Sequence, residues 1–401
     1  ASAGATLAGA VALGRGAHAQ ESPGSDQPWV ILVTIDTLRA DHCGCYGYPR
    51  NTTPFLDRMA AEGTRFERCR SMTGTTFPSH TSLFTGLELP QHGVMANRSP
   101  SFEVEGATMA DFFGQQGYTT AAFVSAPFLS KVSVGFDHFD NERGPNGTPY
   151  RWSEHTVQAA QAFVEKHERD QPLFMWVHVF DPHEWMVPGE PQANLESMQP
   201  ASEDEIEELY QYWTGVQKKH IRVEDTCLSG MKYGQKDYFI EKHLEYDSRI
   251  RYTDAWLSKL HETTVAQSGV GNQWVVTADH GEALGNHRYD QHARFLYDPI
   301  LHVPLIVWQS GDTGAARVIE SPVNHVDLWP TFAALHGWSA PEEHPQRFGL
   351  PILGDPAANK EKLENRRLFA HRQIKHPDYK TARPWTDDFV YALYDREYKY
   401  I

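Results

Sequence analysis

The chain is punctuated by short, nearly unbroken apolar runs: "WVILVTID" from residue 29, "TTAAFV" at 119–124, "LFMWVHVF" at 173–180, "WVVTAD" at 274–279 and "VPLIVW" at 303–308. Runs of this length without polar alternation predict strands buried on both faces, as in parallel sheets. Between them apolar residues recur every three or four positions, in "TTPFLDRMAAEG" (52–63), "SEHTVQAAQAFVEKHE" (153–168) and "EYDSRIRYTDAWLSKLHETT" (245–264), and that spacing predicts amphipathic helices. Strands alternating with helices predict an α/β fold around a mostly parallel sheet.

Two regions break the rhythm. Residues 189–238 are acidic and polar and carry one amphipathic stretch, which predicts an insertion, either a cap over the site or a solvated surface excursion. Beyond about residue 310 the elements shorten and Pro and Gly become denser, so 341–401 reads as the start of a small C-terminal unit after a main domain at 29–340. Ahead of both, "ASAGATLAGAVALGRGAHAQ" has the small, apolar character of a secretory h-region, with Ala17-His18-Ala19 in the pattern of a cleavage site and a polar linker up to residue 28. The expectation is an exported protein, periplasmic or extracellular, read from a chain cut short at both ends. No later run is apolar and long enough to span a bilayer.

Composition narrows the function. With 52 acidic against 36 basic residues and a formal charge of −16 in 401 residues, the chain lacks the basic surface that a phosphate backbone requires, so nucleic acid is not the expected partner. Four cysteines are too few for a disulfide framework, and no pair has zinc-site spacing.

The chemistry concentrates at strand ends, where α/β sheets bind ligands. Asp36 ends the first run, Asp181 and His183 follow the third, and Asp279 with His280 ends the fourth. Such carboxylates and imidazoles are donors for Zn²⁺, Mn²⁺, Ca²⁺ or Mg²⁺, although an Asp after a strand also serves as a cap or turn residue. "ADHGEALGNH" is the denser signal: two donors, a glycine, then His287 and His292 within one loop. In "GTTFPSHTSLFTG" (74–86), Pro78 predicts a helix start with Thr76 at its N-terminus, where an anion is favoured. Thr76 is a cap unless a divalent cation lowers its pKa, in which case it is a nucleophile.

"VTIDTLRADHCGCYGYPRNTTPFLDRMAAEGTRF", "TFPSHTSLFTG", "HVFDPHEW", "ADHGEALGNH" and "SPVNHVDLWPTFAAL", in this order and at about this spacing, resemble the sulfatases within the alkaline phosphatase superfamily. The resemblance runs from residue 29 to about 340. It implies an alkaline-phosphatase-like mixed central sheet sandwiched by helices, with a small C-terminal subdomain. It implies Asp36, Asp279 and His280 as ligands of a divalent cation, and Thr76 as the attacking group that would share it. His183 falls on a position that contacts the ester or protonates its leaving group, His80 stands where the family has Arg, and Thr37 stands where many members have a second Asp. Ser125 and Pro127 occupy the family's Lys and His places after the "GYTT" strand.

These departures remove positive charge from a sulfate pocket, and Thr cannot become the formylglycine that Cys or Ser yields. The pattern resembles instead the superfamily's phosphodiesterases and phosphoglycerol transferases, which pass through a phospho-threonine. The expected function is a metal-dependent phosphate mono- or diester hydrolase or phosphotransferase acting on a small-molecule, glycan or lipid-headgroup ester. Thr76, His80 and His183 are its expected catalytic residues, and His183 and His292 its substrate contacts. A second cation at Asp181, His287 and His292 is an open expectation. The competing readings are a sulfate ester hydrolase without formylglycine and a silent binding protein on the same scaffold.

Overall fold

A computed structural model describes residues 27–99, 108–185, 202–220, 233–286, 289–312, 314, 316–339, 349–354, 356–373, 389–395 and 398–400. The leader, most of the 189–238 segment outside its two helices, and His287 lie outside the described residues.

The apolar runs form the middle of an eight-stranded sheet, in the spatial order Arg317–Ile319, Thr64–Phe66, Leu305–Gln309, Asn272–Thr277, Trp29–Ile35, Leu173–Val179, Thr119–Val124, His138–Asp140. Trp29–Ile35 pairs in parallel with both of its neighbours, aligning Thr34 with Thr277 on one side and with His178 on the other. Leu305–Gln309 alone runs antiparallel to the strands beside it, which makes the sheet mixed. All seven residues of Trp29–Ile35 and of Leu173–Val179 are buried, because helices cover both faces, as unbroken apolar strands require.

The predicted helices appear at Pro54–Glu62, Ser153–Val164 and Tyr233–Gln267. Asp254, on the long third helix, accepts the backbone N–H groups of Phe55 and Leu56 at 2.9 and 3.0 Å and so satisfies two open donors of the first. Within the polar segment, helix Glu203–His220 places Leu209 and Trp213 in an apolar cluster with Tyr48 and Ile240. It therefore packs onto the loop that follows the first strand. Asp247 joins this contact by accepting from His42, Tyr48 and Arg50. A three-stranded antiparallel sheet, Arg367–Gln373, Phe389–Asp395 and Tyr398–Tyr400, forms the C-terminal unit. No helix among the described residues is long and apolar enough to cross a membrane. Cys43, Cys45 and Cys69 are unbridged, and Cys227 lies outside the described residues.

Candidate active site

Parallel pairing carries Asp36 and the Asp279-His280 pair past adjacent strand ends. Their ligand atoms all lie within 4.8 Å of one another, and all three residues are fully buried. The hydrogen bonds around them leave lone pairs facing inward. His280 Nδ1 lies 3.0 Å from the Gly281 carbonyl, which can only accept, so Nδ1 carries the proton and Nε2 is bare. Asp279 Oδ1 accepts from the backbone of Thr37 and His280 at 3.2 and 2.9 Å, while its Oδ2 has no donor and stands 3.3 Å from that bare Nε2. Asp36 Oδ2 accepts from His178 Nε2 at 3.3 Å, and its Oδ1 is again without a donor.

Buried acceptors that converge without a hydrogen between them are unstable unless a cation or a proton joins them. Burial first and the Asp279 charge second push the Asp36 carboxyl well above its usual range, and burial holds His280 well below its own, hence neutral. Neutral imidazole with two carboxylate oxygens is a donor set for a divalent cation, so the residues present fit such an ion.

Thr76 completes the group. The helix runs Thr76–Thr85, with Thr76 at its N-terminus as expected, Pro78 its third residue, and Thr75 at the cap position making no side-chain cap bond. Pro78 is tolerated there because the first N–H groups of a helix have no intrahelical partner. Asn97 Oδ1 takes the Phe77 N–H at 2.8 Å. Relieved of capping, the Thr76 hydroxyl lies 3.2 Å from His280 Nε2. Ser71 and Ser79 both donate to the Asp279 carbonyl, at 2.5 and 2.7 Å, which fixes the facing loop.

The other expected residues divide. His80 is fully buried with Nδ1 2.8 Å from the Thr76 carbonyl and Nε2 3.0 Å from Thr34 Oγ1. Burial pushes its pKa down to about 3, so the expected proton shuttle has both nitrogens occupied and braces the helix end instead. Asp181 turns away from the cluster: its carboxylate accepts the Ser153 N–H at 3.1 and 3.0 Å and the Ser153 hydroxyl, anchoring helix Ser153–Val164. The expected second cation thus has no cluster among the described residues, where the Asp36, Asp279 and His280 group is the one that forms. Thr37 donates its hydroxyl to the Asp36 carbonyl at 2.7 Å and holds a left-handed φ of 61°, a strained conformation for a β-branched residue.

His183 and His292 do reach the site. Their rings lie 5.0 Å apart, and His292 sits 4.6 Å from His280. Left-handed Gln291 and Ala293 flank His292, and Glu282 takes its Nδ1 at 3.1 Å. Burial opposes the charge on His292, but Glu282, Asp36 and Asp279 outweigh it and raise its pKa to about 9.

Sequence reasoning missed His178, Glu282, Arg39 and Asn97. Glu282 stood inside the quoted "DHGE" and could have been found. Arg39 ties two loops together, gripping Asp41 at 2.8 and 2.7 Å while Nη1 reaches the Glu282 carbonyl and Asn286.

Sheet, strand-end carboxylates and helix-borne hydroxyl together form the scaffold of a sulfatase-type α/β fold. The Sulfatase family model matches residues 28–338, and the chain belongs to that family. It is 26% identical to the uncharacterized sulfatase YidJ of Escherichia coli (strain K12) over 92% of this chain and 79% of that protein. It is 23% identical to an N-acetylglucosamine-6-O-sulfatase of Bacteroides thetaiotaomicron, over 92% and 80%. Its fold is similar to that of the phosphonate monoester hydrolase of Agrobacterium radiobacter, with a TM-score of 0.66 at 17% identity over 93% of this chain and 87% of that one.

Proposed function

We propose that the protein cleaves a phosphate ester, or passes its phosphoryl group to an acceptor, with Thr76 as the attacking group. The observation that carries this reading is the 3.2 Å approach of the Thr76 hydroxyl to the bare Nε2 of His280, beside the unpartnered oxygens of Asp36 and Asp279. A divalent cation held by these residues supplies the positive charge that makes a threonine hydroxyl acidic and an ester electrophilic.

The chain's own groups do the rest. Gly281 fixes the His280 tautomer, His80 holds the Thr76 carbonyl, and Asn97 leaves the hydroxyl free to turn inward. His292, its Nδ1 held by Glu282 at 3.1 Å, is positioned to contact the ester's non-bridging oxygens. His183 donates its Nδ1–H to Glu184 at 2.9 Å and, when its other nitrogen also carries a proton, offers that proton to the departing alcohol. Attack forms a Thr76 O–P bond and breaks the bond to the alcohol oxygen, and water or an acceptor hydroxyl then releases the phosphoryl group.

A threonine carries a β-methyl and cannot yield the aldehyde of formylglycine, which supports phosphate over sulfate. Sulfate ester hydrolysis is the second reading, favoured by the sulfatase names of the relatives. Incubation with aryl phosphate, aryl phosphodiester and aryl sulfate, followed by acid quenching and peptide mass spectrometry, tests both. A phosphorylated Thr76 peptide is expected. Label on another residue refutes the nucleophile, and turnover of the sulfate alone reverses the substrate class. The apolar start of the chain supports export as part of the same proposal.

A further inference from the structure

Tyr150 stands at the outer end of a run of rings that leads to the cation-binding group. Its ring stacks on Phe180 at 4.3 Å and 27°, and Phe180 stacks on His183 at 4.2 Å and 25°. His183 meets His292 at 5.0 Å, and His292 meets His280 at 4.6 Å. Phe180 is buried, whereas Tyr150 is only part-buried.

The loop that carries Tyr150 is braced on both sides. Thr148 Oγ1 donates to the Tyr150 carbonyl at 3.1 Å, and Gly144 packs so closely that a Cβ there would lie 2.2 Å from the same oxygen. The next residue, Arg151, is buried, with its N–H on the Ser125 carbonyl and its guanidinium on Asp140 at 2.8 Å. None of the hydrogen bonds found among the described residues uses the Tyr150 hydroxyl. Burial first, then the Glu184 and Asp36 carboxylates, raise its pKa, so it remains a protonated donor on the side of the catalytic group.

Such a surface has a chemical preference. A rigid aromatic face with a free hydroxyl gains contact area from a flat or ring-shaped partner and little from a short alkyl chain. We propose that Tyr150 is a specificity-determining residue that binds the alcohol half of the ester and favours a flat aryl group over a short alkyl one. The inference rests on the ester-cleaving reading given above.

The test compares wild type, Tyr150→Phe and Tyr150→Ala with phenyl phosphate and methyl phosphate in the presence of Mn²⁺, with melting temperatures as the check on folding. Tyr150→Ala should lower kcat/KM for the phenyl ester about 10-fold and leave the methyl ester within about 2-fold, with Tyr150→Phe in between. Equal losses on both esters, or no loss on either, overturn the inference. A parallel arm needs no turnover: calorimetric binding of phenyl phosphate in a Thr76→Ala background should weaken about 10-fold on adding Tyr150→Ala. If wild type cleaves neither ester, the ester-cleaving reading fails while this arm still decides the role of Tyr150, since unchanged affinity overturns it.

Discussion

Replacing Asp279 by Asn should reverse the stability order of two proteins according to whether a divalent cation is supplied. Asp36, Asp279 and His280 hold their ligand atoms within 4.8 Å, and two carboxylate charges that far apart repel by about 3 kcal/mol at an effective dielectric near 20. Without a cation the protein relieves this by protonating Asp36, whose pKa is driven up by burial and then by Asp279. A carboxyl whose pKa is raised in the folded state favours the fold while protonated. Cation-free wild type therefore loses stability as pH climbs above the ordinary Asp value of 3.8 and through the raised one. A divalent cation displaces the proton and restores stability, so its effect grows with pH. Asp279→Asn removes one charge. In EDTA near pH 8 the variant should be more stable than wild type by up to about 3 kcal/mol, whereas with excess Mn²⁺ it should melt below wild type because a ligand is lost. Scanning calorimetry of both proteins, with and without cation, at about pH 5, 7 and 8 covers the window. The same melting order in EDTA and in Mn²⁺, or a wild type indifferent to divalent ions at every pH, would refute the reasoning.

Thr76→Ala should reduce turnover by at least about 10³-fold with no loss of bound metal beyond a factor of a few, while Thr76→Ser keeps a hydroxyl and retains measurable activity; steady-state kinetics with metal analysis checks both. Ser153→Ala leaves Asp181 short of one hydroxyl donor and should cost about 1–3 kcal/mol in chemical denaturation without changing metal stoichiometry. A fall in metal content would return Asp181 to the ligand set. Asp254→Ala strands the Phe55 and Leu56 N–H groups inside the protein and should cost about 2–4 kcal/mol, with Asp254→Asn, which keeps one acceptor oxygen, losing less.

The convergence of Asp36, Asp279 and His280 at the strand ends was legible because it is written locally. A buried strand has to be apolar along its length, so the first charged residue after it marks the edge of the sheet. Asp36, Asp279 and His280 all announce themselves in this way. The place of Thr76 at a helix N-terminus was legible for a similar reason, since proline and hydroxyl residues mark a helix start wherever it packs.

The same local rule failed for Asp181, which also follows an apolar strand. Its direction is decided by a partner 28 residues away, because the open N–H of Ser153 claims the carboxylate before any ion can. His178 failed in the opposite sense: inside an apolar run it looks like a packing residue, and only the register that sets it opposite Thr34, two residues before Asp36, brings its Nε2 to the Asp36 carboxylate. His80 carries a side chain suited to proton transfer, yet the fold gives both its nitrogens to Thr76 and Thr34. Period and polarity along the chain specify which residues arrive at an edge. Which atoms remain without a partner once they arrive depends on contacts between distant segments, and the reactivity proposed for this site rests on those unpartnered atoms.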